Sequence, residues 1–335
     1  IQVAARPDRY AEVSAAIMDG LSSLTPDMEV FSVDEAFLDV THCQLLHGSP
    51  EKMAWMVKKV VFEKSGLSCS VGVSGDKTTA KYAAKLKKPD GYVVIPPWEA
   101  RERLRDVPVT ELSGIKSGIG GFLARHGAYT CGDVANIPIS ILAKRFGNLG
   151  RRIWHMCQGT DPDPVHVVVP NPKSMGHGKV MPPDTTSQTV VDVFLRHICE
   201  KLGSRLRKNH FRAQCFFAGL LHRDLGWLGG RGRLIQATDD SNEIFHLADF
   251  LISQCWNKEP VYQIQVTALD PCDSGFQVDL FSETNQKRSE LYSTIDEINE
   301  KYGEFTIAPV SMLNRSCMPN VISPAWKPNG HRQSI

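Results

Sequence analysis

The chain has 335 residues, 42% of them hydrophobic and 22% charged, with a formal net charge of +1, which describes a globular protein of two or three domains with ample apolar content for real cores. No uninterrupted apolar run reaches the roughly 18 residues of a membrane-spanning helix, and no charged-then-apolar leader opens the sequence, so a soluble, cytoplasmic protein with no membrane partner is expected. The near-neutral charge argues neither for nor against nucleic acid. The nine cysteines form no C-x-x-C pair and no His/Cys cluster at zinc spacing, which points to reduced thiols and away from structural zinc.

In chain order, Tyr10, Val13, Ile17 and Leu21 recur at helical spacing directly after Ile1, and the true start of the protein is expected upstream. "MEVFSVDEAFLDVTH", Met28 to His42, then reads as buried β-structure that nevertheless carries Asp34 and Glu35 side by side, with Asp39 following. Neighbours on a regular strand point to opposite faces, so the pair either sits on a turn or has a compensating partner, since an unpaired buried carboxylate costs several kcal/mol. A helix ("PEKMAWMVKKVVFEKSG"), an alternating strand ("LSCSVGVSG"), a basic helix ("DKTTAKYAAKLKK") and a turn with a strand ("PDGYVVIPP") complete a layer ending near Pro97, with helices expected over one sheet face. Residues 98 to 169 read as short-looped helices, and "VVVPNPKS" as a linker. Beyond it the pattern is strand (Met175 to Met181), helix (Thr189 to Lys208), two strands joined near Gly226 to Gly230, helix (Glu243 to Trp256) and strand (Val261 to Leu269). That order is the ferredoxin-like split unit. A tail from Asp273 carries one helix, "KRSELYSTIDEINEKYG". The fold class expected is α+β multidomain.

Three features carry chemistry. Two oxygen ligands side by side on a turn between β segments, backed by Phe31, Val33, Phe37 and Leu38, suit a hard divalent cation; an exposed hairpin turn is the plain alternative, and Asp39 reads as a strand-end acid. In "SVGVSGDKTTAKYAAKLKKPDG" the glycine spacing and the intervening Asp76 disfavour a phosphate-binding P-loop; Lys77, Lys81 and Lys85 read as a solvated basic helix face, while Lys88 has its direction fixed by the following Pro-Asp-Gly. "LSGIKSGIGGFLARHG", Leu112 to Gly127, matches a helix-hairpin-helix, in which Gly114, Gly118 and Gly120, with Lys116, let backbone N–H groups approach a DNA phosphate; an ordinary helix connection is the alternative.

In combination, "FSVDEAFLD", "CSVGVSGDKTTAKYAAKLKKPDG" and the hairpin resemble the Y-family, or translesion, DNA polymerases of the bacterial DNA polymerase IV type, from about residue 8 to 270. The resemblance implies a partial palm (1–97), a thumb (98–168), a linker (169–174), a little finger that grips the template (175–272) and a C-terminal tail (273–335). It implies primed DNA and a dNTP as substrates, and two Mg²⁺ ions. Asp34 is implied as a shared catalytic ligand, Glu35 as the ligand of the primer-side metal, Lys88 as the triphosphate contact, and Asp39 as structural. The family's first metal-binding aspartate, its nucleotide-clamping Tyr/Arg and its sugar-selecting aromatic have no counterpart in this chain, so the chain by itself is expected to extend nothing. The rival of another class is a non-catalytic DNA- and clamp-binding adaptor of the same fold, which would have no reason to keep Asp34, Glu35 and Lys88 together. Lys179, Arg231 and Arg233 are expected on template phosphates. "QVDLF", Gln277 to Phe281, resembles the pentapeptide by which bacterial polymerases dock on the sliding clamp, departing at Val278; Leu280 and Phe281 would fill an apolar pocket and Gln277 bond at its edge, against the plainer reading of an apolar pair in the tail's core.

Overall fold

The computed structural model describes residues 6–168, 170–274 and 286–317. The chain divides between Pro170 and Asn171 into two compact units. In the first, α1 (Pro7–Ser22) starts on a proline at its first turn, and α3 (Pro50–Ser65) is capped by Ser49, whose hydroxyl accepts from Lys52 N, and closed by Gly66 at φ +69. Between them, β1 (Met28–Val30) and β2 (Ala36–Leu38) form an antiparallel hairpin with Met28 opposite Leu38, and a four-residue α2 (Gln44–His47) follows. Met18, Leu21, Leu24 and Val61 are buried against Met28, Val30, Ala36 and Leu38, so α1 and α3 cover the hairpin. The β-run is therefore two strands of three residues with a turn over positions 31–35, where the acid pair was expected to sit.

β3 (Val71–Val73) and β4 (Tyr92–Val94) run parallel, joined by α4 (Lys77–Leu86). The helix lies so close to β3 that a Cβ on Gly72 would fall 2.0 Å from the Ala80 carbonyl oxygen. Among the described residues these are two separate two-stranded sheets, where a single layer was expected. The rest of the unit is helical: α5 (Pro97–Leu104), α6 (Ser117–Arg125), α7 (Cys131–Val134), α8 (Ile139–Phe146) and α9 (Asn148–Cys157) close on Leu104, Leu112, Ile115, Leu123, Leu142 and Ile153. Each such side chain contributes roughly 1.5–3 kcal/mol on burial.

The second unit contains β5 (Met175–Thr185), α10 (Gln188–Lys208), β6 (Phe211–His222), β7 (Gly226–Thr238), α11 (Ser241–Ser253), β8 (Val261–Ala268), β9 (Cys272–Asp273) and α12 (Gln286–Tyr302). The sheet order is β5-β8-β6-β7, all antiparallel, with β9 on β6. Both β-α-β crossovers are split, each straddling one strand. The central pair, however, is β8–β6, the fourth and second strands of the unit, where the ferredoxin-like arrangement places the first and third; the β-α-β-β-α-β order stands and the ferredoxin-like strand order is corrected. The glycines read as the hairpin connection lie inside β7, because a Cβ on Gly229 would fall 2.1 Å from the Ala218 carbonyl oxygen; the connection is made at positions 223–225. One sheet face packs on the helices through Leu195, Ile198, Leu202, Phe216, Leu220, Ile244 and Ile264. No helix among the described residues is long and apolar enough to cross a membrane.

Candidate active site and nucleic-acid interface

Asp34 and Glu35 lie on the hairpin turn. The Phe31 and Ser32 N–H groups both donate to the Glu35 carbonyl oxygen (2.9 and 3.0 Å), which fixes the turn, and Phe31 packs edge-on against Phe37 with ring centroids 5.3 Å apart. Asp34 is exposed and accepts from the Ser32 hydroxyl at 2.7 Å. Glu35 Oε2 meets Lys81 Nζ at 2.8 Å, and that ammonium sits 4.2 Å from the Phe31 ring centroid. The adjacency of the two acids thus buries neither charge without a partner. Asp39 Oδ1 accepts from Thr41 N at 2.9 Å; this bonding at Thr41 holds its carboxyl below the usual carboxylate range.

A buried polar network that the sequence did not announce stands one strand away. Glu29, on β1 and only 3% exposed, receives Lys77 Nζ at 2.8 Å and the His166 N–H at 2.9 Å on the same oxygen. Lys77 also meets Asp163 at 2.6 Å. Arg152 bonds Asp161 at 2.8 and 2.9 Å and Asp163 at 3.0 Å, and the Thr78 hydroxyl donates to Asp161 at 2.6 Å. Burial works against the Asp163 charge, but donation from Lys77 and His166 and the Arg152 charge outweigh it and hold that carboxyl below its ordinary value. The reading of Lys77 and Lys81 as a solvated face is therefore corrected: both turn inward onto acids of the hairpin, and of the three lysines only Lys85 is exposed. An acid in the middle of a strand between Met28 and Val30 was the available signal, because such a residue needs a partner. Asp76 caps α4 by accepting from Thr79 N (2.9 Å) and its hydroxyl (2.7 Å), so a carboxylate occupies the helix start where a P-loop would hold phosphate; burial nonetheless pushes its carboxyl upward.

Lys88 is exposed in the turn after α4. Lys58 on α3 fastens that turn by an ion pair to the Asp90 carboxylate and by donating to the Asp90 carbonyl (2.6 Å) and the Cys69 carbonyl (2.9 Å). In the glycine-rich segment, Gly114 adopts φ +86 and Gly118 has open space where a Cβ would lie. Lys116 precedes α6 without capping it, which leaves the first-turn N–H groups to water or a ligand. Gly120 is buried, and its Cβ would fall 2.9 Å from Thr110 Cγ2, so it serves packing and not phosphate approach.

On β7, Arg231 and Arg233 are exposed, opposite Phe217 and Cys215, and Arg233 donates to Gln214 at 2.7 Å. The register sets Trp227, Phe217, Gln263, Gln265 and Thr267 on the same open face, residues that sequence reading had not singled out. Lys179 is only 8% exposed and shares its face of β5 with buried Met175 and Met181, so the expectation that it joins Arg231 and Arg233 is corrected. Gln277, Leu280 and Phe281 lie outside the described residues.

The profile of the impB/mucB/samB family matches residues 1–85, and that of the impB/mucB/samB family C-terminal domain matches residues 172–280. DNA polymerase IV of Moorella thermoacetica is 32% identical over 306 residues, 90% of this chain and 76% of its own length; DNA polymerase IV of Pelotomaculum thermopropionicum is 30% identical over 305 residues with the same coverage. A solved Y-family DNA polymerase chimera superposes with a TM-score of 0.68 over 80% of this chain and 78% of its own, at 24% identity, a likeness of fold. The class these define is DNA-directed DNA polymerase. Within it, the chain belongs to the Y-family polymerases of the DNA polymerase IV type.

Proposed function

We propose that the chain supplies part of the active site for template-directed nucleotidyl transfer from a dNTP to a primer 3′-hydroxyl, including synthesis past damage, with two Mg²⁺ ions held in part by Asp34 and Glu35. The observation that carries this reading is the hairpin turn, which presents an exposed Asp34 beside a Glu35 that has only one oxygen engaged by Lys81. The donor set fits magnesium: both ligands are carboxylate oxygens, and no group of three or more His, Cys, Asp or Glu that could cage a metal occurs among the described residues. Magnesium commonly takes one or two carboxylates and fills its shell with water and substrate phosphate oxygens. When bound, the ions would steady charge on the transferring phosphoryl group and align the attacking hydroxyl.

The chain's own residues divide the remaining work. Ser32 orients Asp34, the shared ligand; Lys81 holds one oxygen of Glu35, the primer-side ligand, and leaves the other available. Lys88, in its pinned turn, takes the triphosphate. Residues 1–97 act as a partial palm and 98–168 as a thumb, whose helix-hairpin-helix offers Gly114, Lys116 and Gly118 to the DNA backbone. After the 169–174 linker, residues 175–272 act as a little finger, gripping the template through Arg231 and Arg233; positioning contacts of this kind carry no base information. In the 273–335 tail, Gln277, Leu280 and Phe281 dock on a sliding clamp, a reading supported by the QVDLF sequence.

The test measures Mn²⁺ binding in the presence of primed DNA and dNTP, together with primer extension. Extension is measured on this chain, for which none is expected, and on the chain joined to the N-terminal segment of a DNA polymerase IV relative. Asp34→Asn and Glu35→Gln should each lose metal binding and extension while keeping DNA affinity; extension at the parental rate by either would refute the assignment.

A further inference from the structure

Among the described residues, the main buried cluster of the second unit runs from Met175 to Ala268 and takes no side chain from α12, while the segment after the helix adds Met312, 1% exposed. The family's C-terminal profile likewise ends at residue 280, before α12 begins. Yet α12 and the segment after it are fastened to the helix layer by a row of charges. Arg207 grips Asp296 at 2.6 Å, Lys208 meets Glu300 at 2.9 Å and Lys201 meets Glu304 at 2.8 Å. From the other side, Arg288 reaches Asp240, the N-cap of α11, at 2.6 Å.

The contact beneath this row is not filled throughout. A cavity of about 760 Å³ lies between α12 and the body of the unit, and to its wall α10 contributes Arg196, Lys201, Arg205, Arg207 and Lys208 against one acid, Glu200. Asp296 and Glu300 stand one turn apart on α12, about 6 Å along its axis, and Glu304 follows just past its end, so the three lay anionic oxygens over a line of cations. Lys208 and Glu300 are 72% and 73% exposed, and pairs that wet are screened by salt and individually weak.

We infer that α12 is a releasable acidic strap, and that the cationic face of α10 beneath it is a docking surface for the phosphate backbone of nucleic acid. The strap's carboxylates occupy the positions that backbone phosphates take when it lifts, so strap and nucleic acid compete. Raising the salt loosens the strap and weakens the competing contact alike, since both are charge-borne. This surface is separate from the open sheet face that carries Arg231 and Arg233, and the inference does not depend on the metal reading.

The test uses the full chain and a fluorescein-labelled 20-base-pair duplex, with affinity read by anisotropy across a salt series. The triple variant Asp296→Asn, Glu300→Gln, Glu304→Gln should bind about five- to tenfold tighter than the parent, with a salt slope steeper by about two phosphates' worth. Adding Lys201→Gln and Lys208→Gln should remove that gain. A charge-matched control, Glu63→Gln, Glu99→Gln, Glu102→Gln, raises the net charge equally in the first unit and should gain less than twofold. No gain in the strap variant, an equal gain in the control, or a gain for poly-glutamate in place of DNA would overturn the inference. Amide exchange on the unmodified chain supplies an arm that needs no variant: α12 amides should exchange well before those of β6 and β8, and sooner at higher salt. Protection of α12 equal to that of the core strands would make it an integral element and refute release.

Discussion

Glu29 and Glu35 lie six residues apart on one hairpin, and each meets a lysine of α4 at 2.8 Å, the two lysines one helical turn apart. Their surroundings differ. The Glu29 side chain is 4% exposed, its bonded oxygen takes a second donor from His166, and its lysine is shared with Asp163. The Glu35 side chain is 43% exposed, stands next to an exposed Asp34, and takes Lys81 and a long 3.5 Å donation from the Ser32 hydroxyl on one oxygen, leaving the other free of any described partner. Equal pair distances therefore carry unequal consequences. A buried ion pair is strongly destabilising to break because the surviving charge has no water, whereas a half-exposed pair is screened and separable. In the proposed function, the carboxylate with spare coordination is the one left for a metal ion.

The largest expected effect belongs to the turn. Asp34→Asn should lower primer extension in the N-terminally joined protein by roughly a thousandfold or more, about 4 kcal/mol of transition-state stabilisation, with the midpoint of thermal unfolding unchanged. Lys77→Met, which strands Glu29 and Asp163, should destabilise the first unit by roughly 3–5 kcal/mol in urea denaturation. A loss below about 1 kcal/mol would dissolve the distinction between the two glutamates.

pH sharpens the same contrast. Because the Asp163 carboxyl is held below its ordinary value of 3.8 in the folded state, its contribution to stability is present above that value and disappears as pH falls through the lower, folded value. The stability gap between the parent and Lys77→Met should accordingly shrink as unfolding is measured from pH 5 down to pH 2. A gap that stayed constant would mean that Asp163 does not draw its stabilisation from Lys77. The smallest effect is expected for Lys81→Met, under about 1 kcal/mol in stability because the pair is half in water. Its mark should fall on apparent metal affinity; a destabilisation as large as that of Lys77→Met would place Glu35 among the structural acids.

Much of the hairpin was readable without coordinates. Two acids in an apolar run require a turn or a partner, and the turn at 31–35 supplies the first solution while Lys81 supplies the second. What misled was α4: Lys77, Lys81 and Lys85 share a basic pattern, and nothing in their spacing distinguishes a lysine that reaches a buried glutamate 48 residues away from one in solvent. Lys179 misled for the complementary reason, since a cation on a strand of alternating burial is assigned to the wet face by default.

The sequence by itself determined what depends on neighbours within a helical turn or a tight loop. It placed the acid pair on a turn and the element order β-α-β-β-α-β in the second unit. It also carried the motifs of the family to which the chain belongs. Only the tertiary structure decided which of two equally spaced lysines is buried, that β8 and β6 form the centre of the sheet, and that α12 lies along α10 with acids facing bases. Local chemistry is written in spacings of two to four residues. Ion pairs across dozens of residues and strand order are set by which faces packing brings together, and a charge pattern compatible with solvent is equally compatible with a buried partner until that packing exists.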